Sequence, residues 1–255
     1  MNGTGLRTAT AVLALLALLG LAACASVAPD YAREKRLADE FVPSMVEGRV
    51  VTIETHAGLK FLGILTEARK PRAAVILVHG LGVHPDFGLI GDLRSRLPER
   101  GYTTLSIQMP VLAADADRSL YPAIFAEADE RIAAALDYLR PRVPVKVAIV
   151  SHSMGARMVN DFLKKRPDAP LMAWLPVAIS SGEFDALPAL RFPVFDIYAQ
   201  KDFDVVRKGA ADRASALRRI KGSKQAMVYG ADHYFTKKEK EVAALIDKLL
   251  TPLAK

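Results

Sequence analysis

The stretch VAIVSHSMGARMVNDFL, Val147 to Leu163, decides how the chain is read. An apolar run leads into Ser-His-Ser-Met-Gly, and apolar residues then recur at Met154, Met158, Val159 and Phe162. A short continuous apolar segment followed at once by helical spacing predicts a buried strand, a sharp turn and a helix. Ser153 stands at the turn. Either it is a nucleophile held at the tip of a strained backbone, or it caps the helix and does no chemistry.

The surrounding sequence repeats the pattern. Val50–Thr55 and Leu59–Leu65 read as two strands joined by His56-Ala57-Gly58, an antiparallel pair. Ala73–Val78 is a continuous apolar run ending in His79-Gly80, followed by Leu89, Ile90, Leu93 and Leu97 at helical spacing up to Gly101. Thr103–Ile107 is a strand, and Phe125, Ala128, Ile132, Leu136 and Leu139 mark a helix stopped by Pro141. Val145–Val150, Leu171–Ile179, Phe192–Tyr198 and the short Ala226–Tyr229 are further strands, with helices over Val205–Leu217 and Val242–Leu250. Apolar strands separated by helices predict an α/β fold, with a mostly parallel twisted sheet of about eight strands covered on both faces. Ligands of such sheets sit beyond the carboxyl ends of the strands. His79, Ser153, Asp202 and His233 all fall at or just past those ends.

The N-terminus reads differently. Arg7 precedes the apolar run AVLALLALLGLAA, Ala11 to Ala23, and then Cys24. A basic residue and an apolar segment shorter than the ~20 residues of a spanning helix form an export signal. Leu21-Ala22-Ala23-Cys24 resembles the bacterial lipobox, which implies cleavage before Cys24 and a lipid thioether on it. Cys24 is the only cysteine, so an intramolecular disulfide is impossible, and lipidation accounts for the lone thiol. Several acyl chains would hold the protein to a membrane where one is marginal. Ala25 follows the cysteine, where an inner-membrane retention signal would place aspartate. By resemblance to Gram-negative lipoproteins, the expected location is the periplasmic side of the envelope, at the outer membrane. The expected organisation is a signal peptide over 1–23, a lipidated tether with some helical tendency over 24–47 and one domain over 48–255.

Composition sets limits. The chain has 255 residues, 51% of them apolar and 25% charged, enough for a substantial core. Its formal charge of +7 is spread along the sequence, without the basic block and interleaved aromatics of a nucleic-acid surface. No nucleic-acid partner is expected. His-Gly-Leu-Gly at 79–82 lacks the third glycine of a dinucleotide fingerprint, and His79 and His84 have no further ligands to complete a metal site. Neither a cofactor nor a metal is expected.

The chemistry rests on a constellation. A serine between strand and helix needs small neighbours, filled here by Gly155 and by Ser151. Serine attacks at neutral pH only with a base in hydrogen-bond reach, itself oriented by a third group. In folds built on such an elbow the order along the chain is serine, acid, histidine. Of the five histidines only His233 follows Ser153. The acid should follow the strand ending near Tyr198, where Asp202 and Asp204 both stand. Asp202 has the preferred spacing, while Asp204 suits a helix N-terminus and remains the alternative. Asp196, inside the strand, needs a buried partner. Backbone N–H groups of Met154 and of Leu81, in the glycine-flanked loop after Val78, are the candidate oxyanion donors.

Together these features resemble the α/β-hydrolase superfamily over roughly Val50–Leu250. The stretch HGLGVHPDFGLIGDLRSRLPERGYTTLSIQMP, His79 to Pro110, is similar to a bacterial branch described only as a domain of unknown function. The resemblance implies a serine hydrolase with a Ser153–Asp202–His233 triad and no settled substrate. Ser151 departs from the usual first glycine. Ser180–Arg191 is too short for a large helical cap, so an open site is expected, with Met109, Tyr121 and Phe235 either lining it or belonging to the core. The expected substrates are small-molecule or lipid esters or thioesters. The rival expectation is a non-catalytic binding or scaffold lipoprotein on the same fold. Nothing in the sequence speaks to oligomeric state.

Overall fold

The structure is a computed structural model, and it describes residues 27–143, 145–180, 184 and 186–254. The expected signal peptide and Cys24 lie outside the described residues. Eight strands form one sheet: β1 Arg49–Glu54, β2 Lys60–Thr66, β3 Ala73–Val78, β4 Tyr102–Ile107, β5 Val147–His152, β6 Ala173–Val177, β7 Phe195–Lys201 and β8 Lys224–Asp232. Their order is β1-β2-β4-β3-β5-β6-β7-β8. β1 pairs antiparallel with β2 and β2 with β4, and every later pairing is parallel. Helices are α1 Tyr31–Phe41, α2 Gly88–Arg96, α3 Phe125–Leu139, α4 Met154–Lys165, α5 Asp204–Lys208, α6 Ala210–Leu217 and α7 Glu239–Leu250.

Strands β3 and β5 are buried at every position because both faces of the sheet are covered. Side chains alternate between the faces. Ala74, Ile76 and Val78 of β3 join Ile132, Leu136, Met158 and Phe162 of α3 and α4. Ala73, Val75 and Leu77 join Leu89, Ile90 and Leu93 of α2 with Val242 and Ile246 of α7. Two apolar layers thus hold the middle strands rigidly, and their carboxyl ends form the edge that carries the site.

Three elements depart from the sequence expectation. The single helix over Val205–Leu217 is two, broken at Gly209, whose missing side chain weakens a helix interior. β8 runs from Lys224 to Asp232, well beyond Ala226–Tyr229; as an edge strand it is half exposed and carries polar residues that hide it. The third departure is the tether. Residues 31–41 form α1, capped by the Asp30 carboxylate, which accepts from Arg33 N–H at 2.8 Å. α1 is docked on the domain: Glu34 pairs with fully buried Arg131 at 2.9 Å, and Phe41 stacks on His84 with ring centroids 4.3 Å apart. α1 is therefore packed against the domain rather than standing off from it as a free tether.

Candidate active site

The turn after β5 places Ser153 at φ 54° and ψ −117°, a backbone that residues with a Cβ rarely adopt. The surroundings hold it there. Ser153 N–H donates to the Val177 carbonyl at 2.9 Å. Gly155 lets α4 sit directly on β3, since a Cβ there would lie 2.2 Å from the His79 carbonyl oxygen and 2.9 Å from that of Val78. Both obstacles are backbone and cannot step aside. At the other small position, fully buried Ser151 accepts a hydrogen bond from Trp174 Nε1–H at 2.9 Å. Serine in place of glycine thus satisfies a buried indole that otherwise has to find another acceptor.

His233 follows β8 and is buried. Its Nε2 lies 2.9 Å from Ser153 Oγ, and its Nδ1 lies 2.5 Å from Asp202 Oδ1. The carboxylate can only accept, which assigns the proton to Nδ1 and leaves Nε2 to accept from the serine hydroxyl. Asp202 is buried and is held by Phe203 N–H at 2.9 Å and Ala199 N–H at 3.2 Å. The structure brings together Ser153, His233 and Asp202. It leaves Asp204 out: that carboxylate is exposed and ion-paired with Arg207 and Lys208, which hold its pKa below the ordinary range. Asp196 has its partners in buried Arg213, 2.9 Å away, and half-buried Gln225, 2.8 Å away. It ties β7 to α6 and β8.

Two histidines outside this chain of bonds brace it. His152 Nε2–H donates to the His233 carbonyl at 2.9 Å. Burial pushes the pKa of His152 down to about 4, so the ring is neutral and its donating tautomer is fixed by the carbonyl it meets. His79 is driven to about 3 by burial. Its Nε2 accepts from Met109 N–H at 2.9 Å, which leaves Nδ1–H to donate to the Gly80 carbonyl at 2.9 Å. The Gly80–Leu81 peptide is planar, so fixing its carbonyl fixes the direction of Leu81 N–H. Met154 N–H heads α4, among the N–H groups that lack an intrahelical partner.

The rim is apolar. Phe203 stacks on the His233 ring with centroids 4.1 Å apart and 20° between planes, and Tyr234 meets the same ring edge-on at 5.3 Å. Both are exposed, as are Leu81 and Val205. Met109, Tyr121 and Phe235 do not line the site; all three are buried, packed with the residues under it. Sequence reasoning missed Phe203 and the bracing role of His152. Adjacency to Asp202 and Ser153 was the available signal, but stacking and tautomer depend on three-dimensional contact.

Residues 29–130 match the family model described as a protein of unknown function, DUF3530. No curated protein matches the chain. Solved structures do. A putative α/β hydrolase of unknown function from Agrobacterium tumefaciens is 20% identical with a TM-score of 0.62, covering 80% of this chain and 95% of that one. A dienelactone hydrolase from Anabaena variabilis is 19% identical with a TM-score of 0.65, covering 80% and 97%. An α/β serine hydrolase without lid from Xanthomonas campestris is 14% identical with a TM-score of 0.64, covering 82% and 95%. With its strand order, its elbow between β5 and α4 and these structural relatives, the chain has the α/β-hydrolase fold.

Proposed function

We propose that the protein is a serine hydrolase that cleaves carboxylic esters or thioesters through an acyl-enzyme. The observation that carries this reading is the unbroken path of hydrogen bonds from Ser153 Oγ through His233 to Asp202. In the reaction, Ser153 Oγ attacks the substrate carbonyl while His233 Nε2 takes its proton. Asp202 holds the ring and stabilises the imidazolium. Met154 and Leu81 N–H groups donate to the oxyanion, an interaction whose single donors contribute about 10²–10³ in kcat elsewhere. His233 then protonates the leaving alcohol or thiol. Water, deprotonated by the same nitrogen, attacks the acyl-serine; the acid departs and the hydroxyl is restored. Exposed Leu81, Phe203, Val205 and Tyr234 favour apolar acyl or alkyl groups over charged ones. The sequence at Cys24 supports attachment of the enzyme to the envelope by a lipid anchor at that residue.

The test is labelling of the purified full chain with a fluorophosphonate probe, beside Ser153→Ala and His233→Ala. Labelling that vanishes in both variants, together with hydrolysis of p-nitrophenyl esters, is the expected result. A folded wild type that neither labels nor hydrolyses any ester defeats the reading and leaves a binding protein on a hydrolase fold.

A further inference from the structure

We infer that the N-terminal helix is part of the active-site scaffold and that Arg33 is a positioning residue for the loop carrying the oxyanion donor. This rests on the serine-hydrolase reading above. The loop after β3 contains Gly80-Leu81-Gly82, and two glycines leave its backbone little determined by its own side chains. Gly82 adopts φ +65°, and nothing in the sequence of the loop selects one conformation. Its two glycine carbonyls are instead held from outside, on either side of Leu81. His79 holds the Gly80 oxygen, as described. Arg33 holds the Gly82 oxygen: Nη2–H donates to it at 2.8 Å.

The same guanidinium reaches a second segment. Arg33 Nη1–H donates to the Leu112 carbonyl at 2.6 Å, in the chain that follows β4. The planar fork therefore bridges two loops at the carboxyl edge of the sheet, which lysine with its single ammonium cannot reproduce. Arg33 is itself fixed by the first turn of α1. Asp30 N–H donates to the Val111 carbonyl at 2.7 Å, and Val111 N–H donates to Glu34 Oε1 at 3.3 Å. Glu34 in turn meets buried Arg131, whose Nη1–H also donates to the Gln108 carbonyl at 2.9 Å. Next to Gln108, Met109 N–H holds His79. The helix thus grips both supports of the Leu81 peptide. The matched family segment begins at residue 29, so it includes this turn rather than starting at the first strand.

The test measures ester hydrolysis and fluorophosphonate labelling by the full chain and by Arg33→Ala and Arg33→Lys. For Arg33→Ala the expected result is a ten- to hundredfold fall in kcat and in labelling rate with KM within twofold, the size of a misplaced catalytic group. Methylguanidinium added in solution restores a measurable part of that loss. Arg33→Lys, which keeps the charge and one hydrogen bond, falls between the two and keeps the wild-type KM. It also serves as the test variant if Arg33→Ala does not fold. Unchanged kcat in Arg33→Ala, a loss that methylguanidinium does not relieve, or full activity in Arg33→Lys overturns the inference. An inactive wild type instead overturns the hydrolase reading, so the two failures are distinct.

Discussion

Replacing Ser153 with glycine is expected to make the protein more stable than replacing it with alanine, although both remove the same hydroxyl. The two variants lose the bond to His233 Nε2 equally, so their difference isolates the backbone. Ser153 sits at φ 54° and ψ −117°, and a side chain forced into such a region costs ~1–3 kcal/mol. Alanine keeps that cost. Glycine removes it, but its freer unfolded chain gives back ~0.5–1 kcal/mol. At the middle of both ranges the net advantage of Ser153→Gly over Ser153→Ala is about 1 kcal/mol.

For a chain of this size, 1 kcal/mol corresponds to roughly 2–4 °C in Tm. Differential scanning calorimetry of the two variants, both checked for equal helix content, should therefore place glycine several degrees above alanine. The strain persists in the wild type because its surroundings over-determine the turn. Val177 captures the Ser153 N–H, and Gly155 seats α4 against the β3 carbonyl ends with no room to rotate away. Equal melting temperatures, or a lower one for glycine, would refute the idea that this turn stores strain. In that case the elbow is merely an unusual but relaxed bend.

Two further outcomes follow from the same geometry. Asp202→Asn should lower kcat by about 10³–10⁴, because the amide no longer fixes the Nδ1–H tautomer of His233, while Asp204→Asn on the exposed start of α5 should stay within twofold; steady-state ester hydrolysis decides. Acid should destabilise the fold through His152, since an unfolded imidazole titrates near 6.5 and the folded one only near 4. As pH falls from 6.5 to 4 the unfolded state binds a proton that the folded state refuses, removing about 3 kcal/mol. Asp129, pushed up to about 6 by burial, acts in the opposite sense over part of this range. The share of His152 is therefore read as the difference in urea-midpoint pH dependence between wild type and His152→Gln, and parallel curves would refute it.

Apolar patterning made the middle of the molecule legible. β3 is legible to the residue as a short continuous apolar run bounded by turn residues, and α3 at its first and last position from its helical period. Ser153 is legible from its place between strand and helix, and His233 as the one histidine that follows it. Asp202 could only be preferred over Asp204, since both stand in one turn and the choice depends on which carboxylate faces inward. β8 is legible only in part for the opposite reason: on an edge, backbone pairing with β7 holds Lys224 and Gln225 in a strand that their side chains do not advertise.

The N-terminal helix shows where pattern reading stops by necessity. Among the residues of α1 only Phe41 is buried, so no apolar stripe marks a docking face. Beside the Phe41 stack, its attachment is made by Arg33 and Glu34, two residues that a composition reading assigns to solvent. Charged groups can dock a helix only when their partners are already desolvated and in place. Here those partners come from Arg131 on α3 and from carbonyls after β3 and β4, distant in sequence and adjacent only once the sheet has formed. Removing one side of a buried ion pair generally costs ~3–5 kcal/mol, because the remaining charge stays buried without compensation. The same logic that hid the docking of α1 from the sequence makes it hard to discard from the fold. A segment that looks like a leash is thereby committed to the edge of the sheet where Ser153 stands.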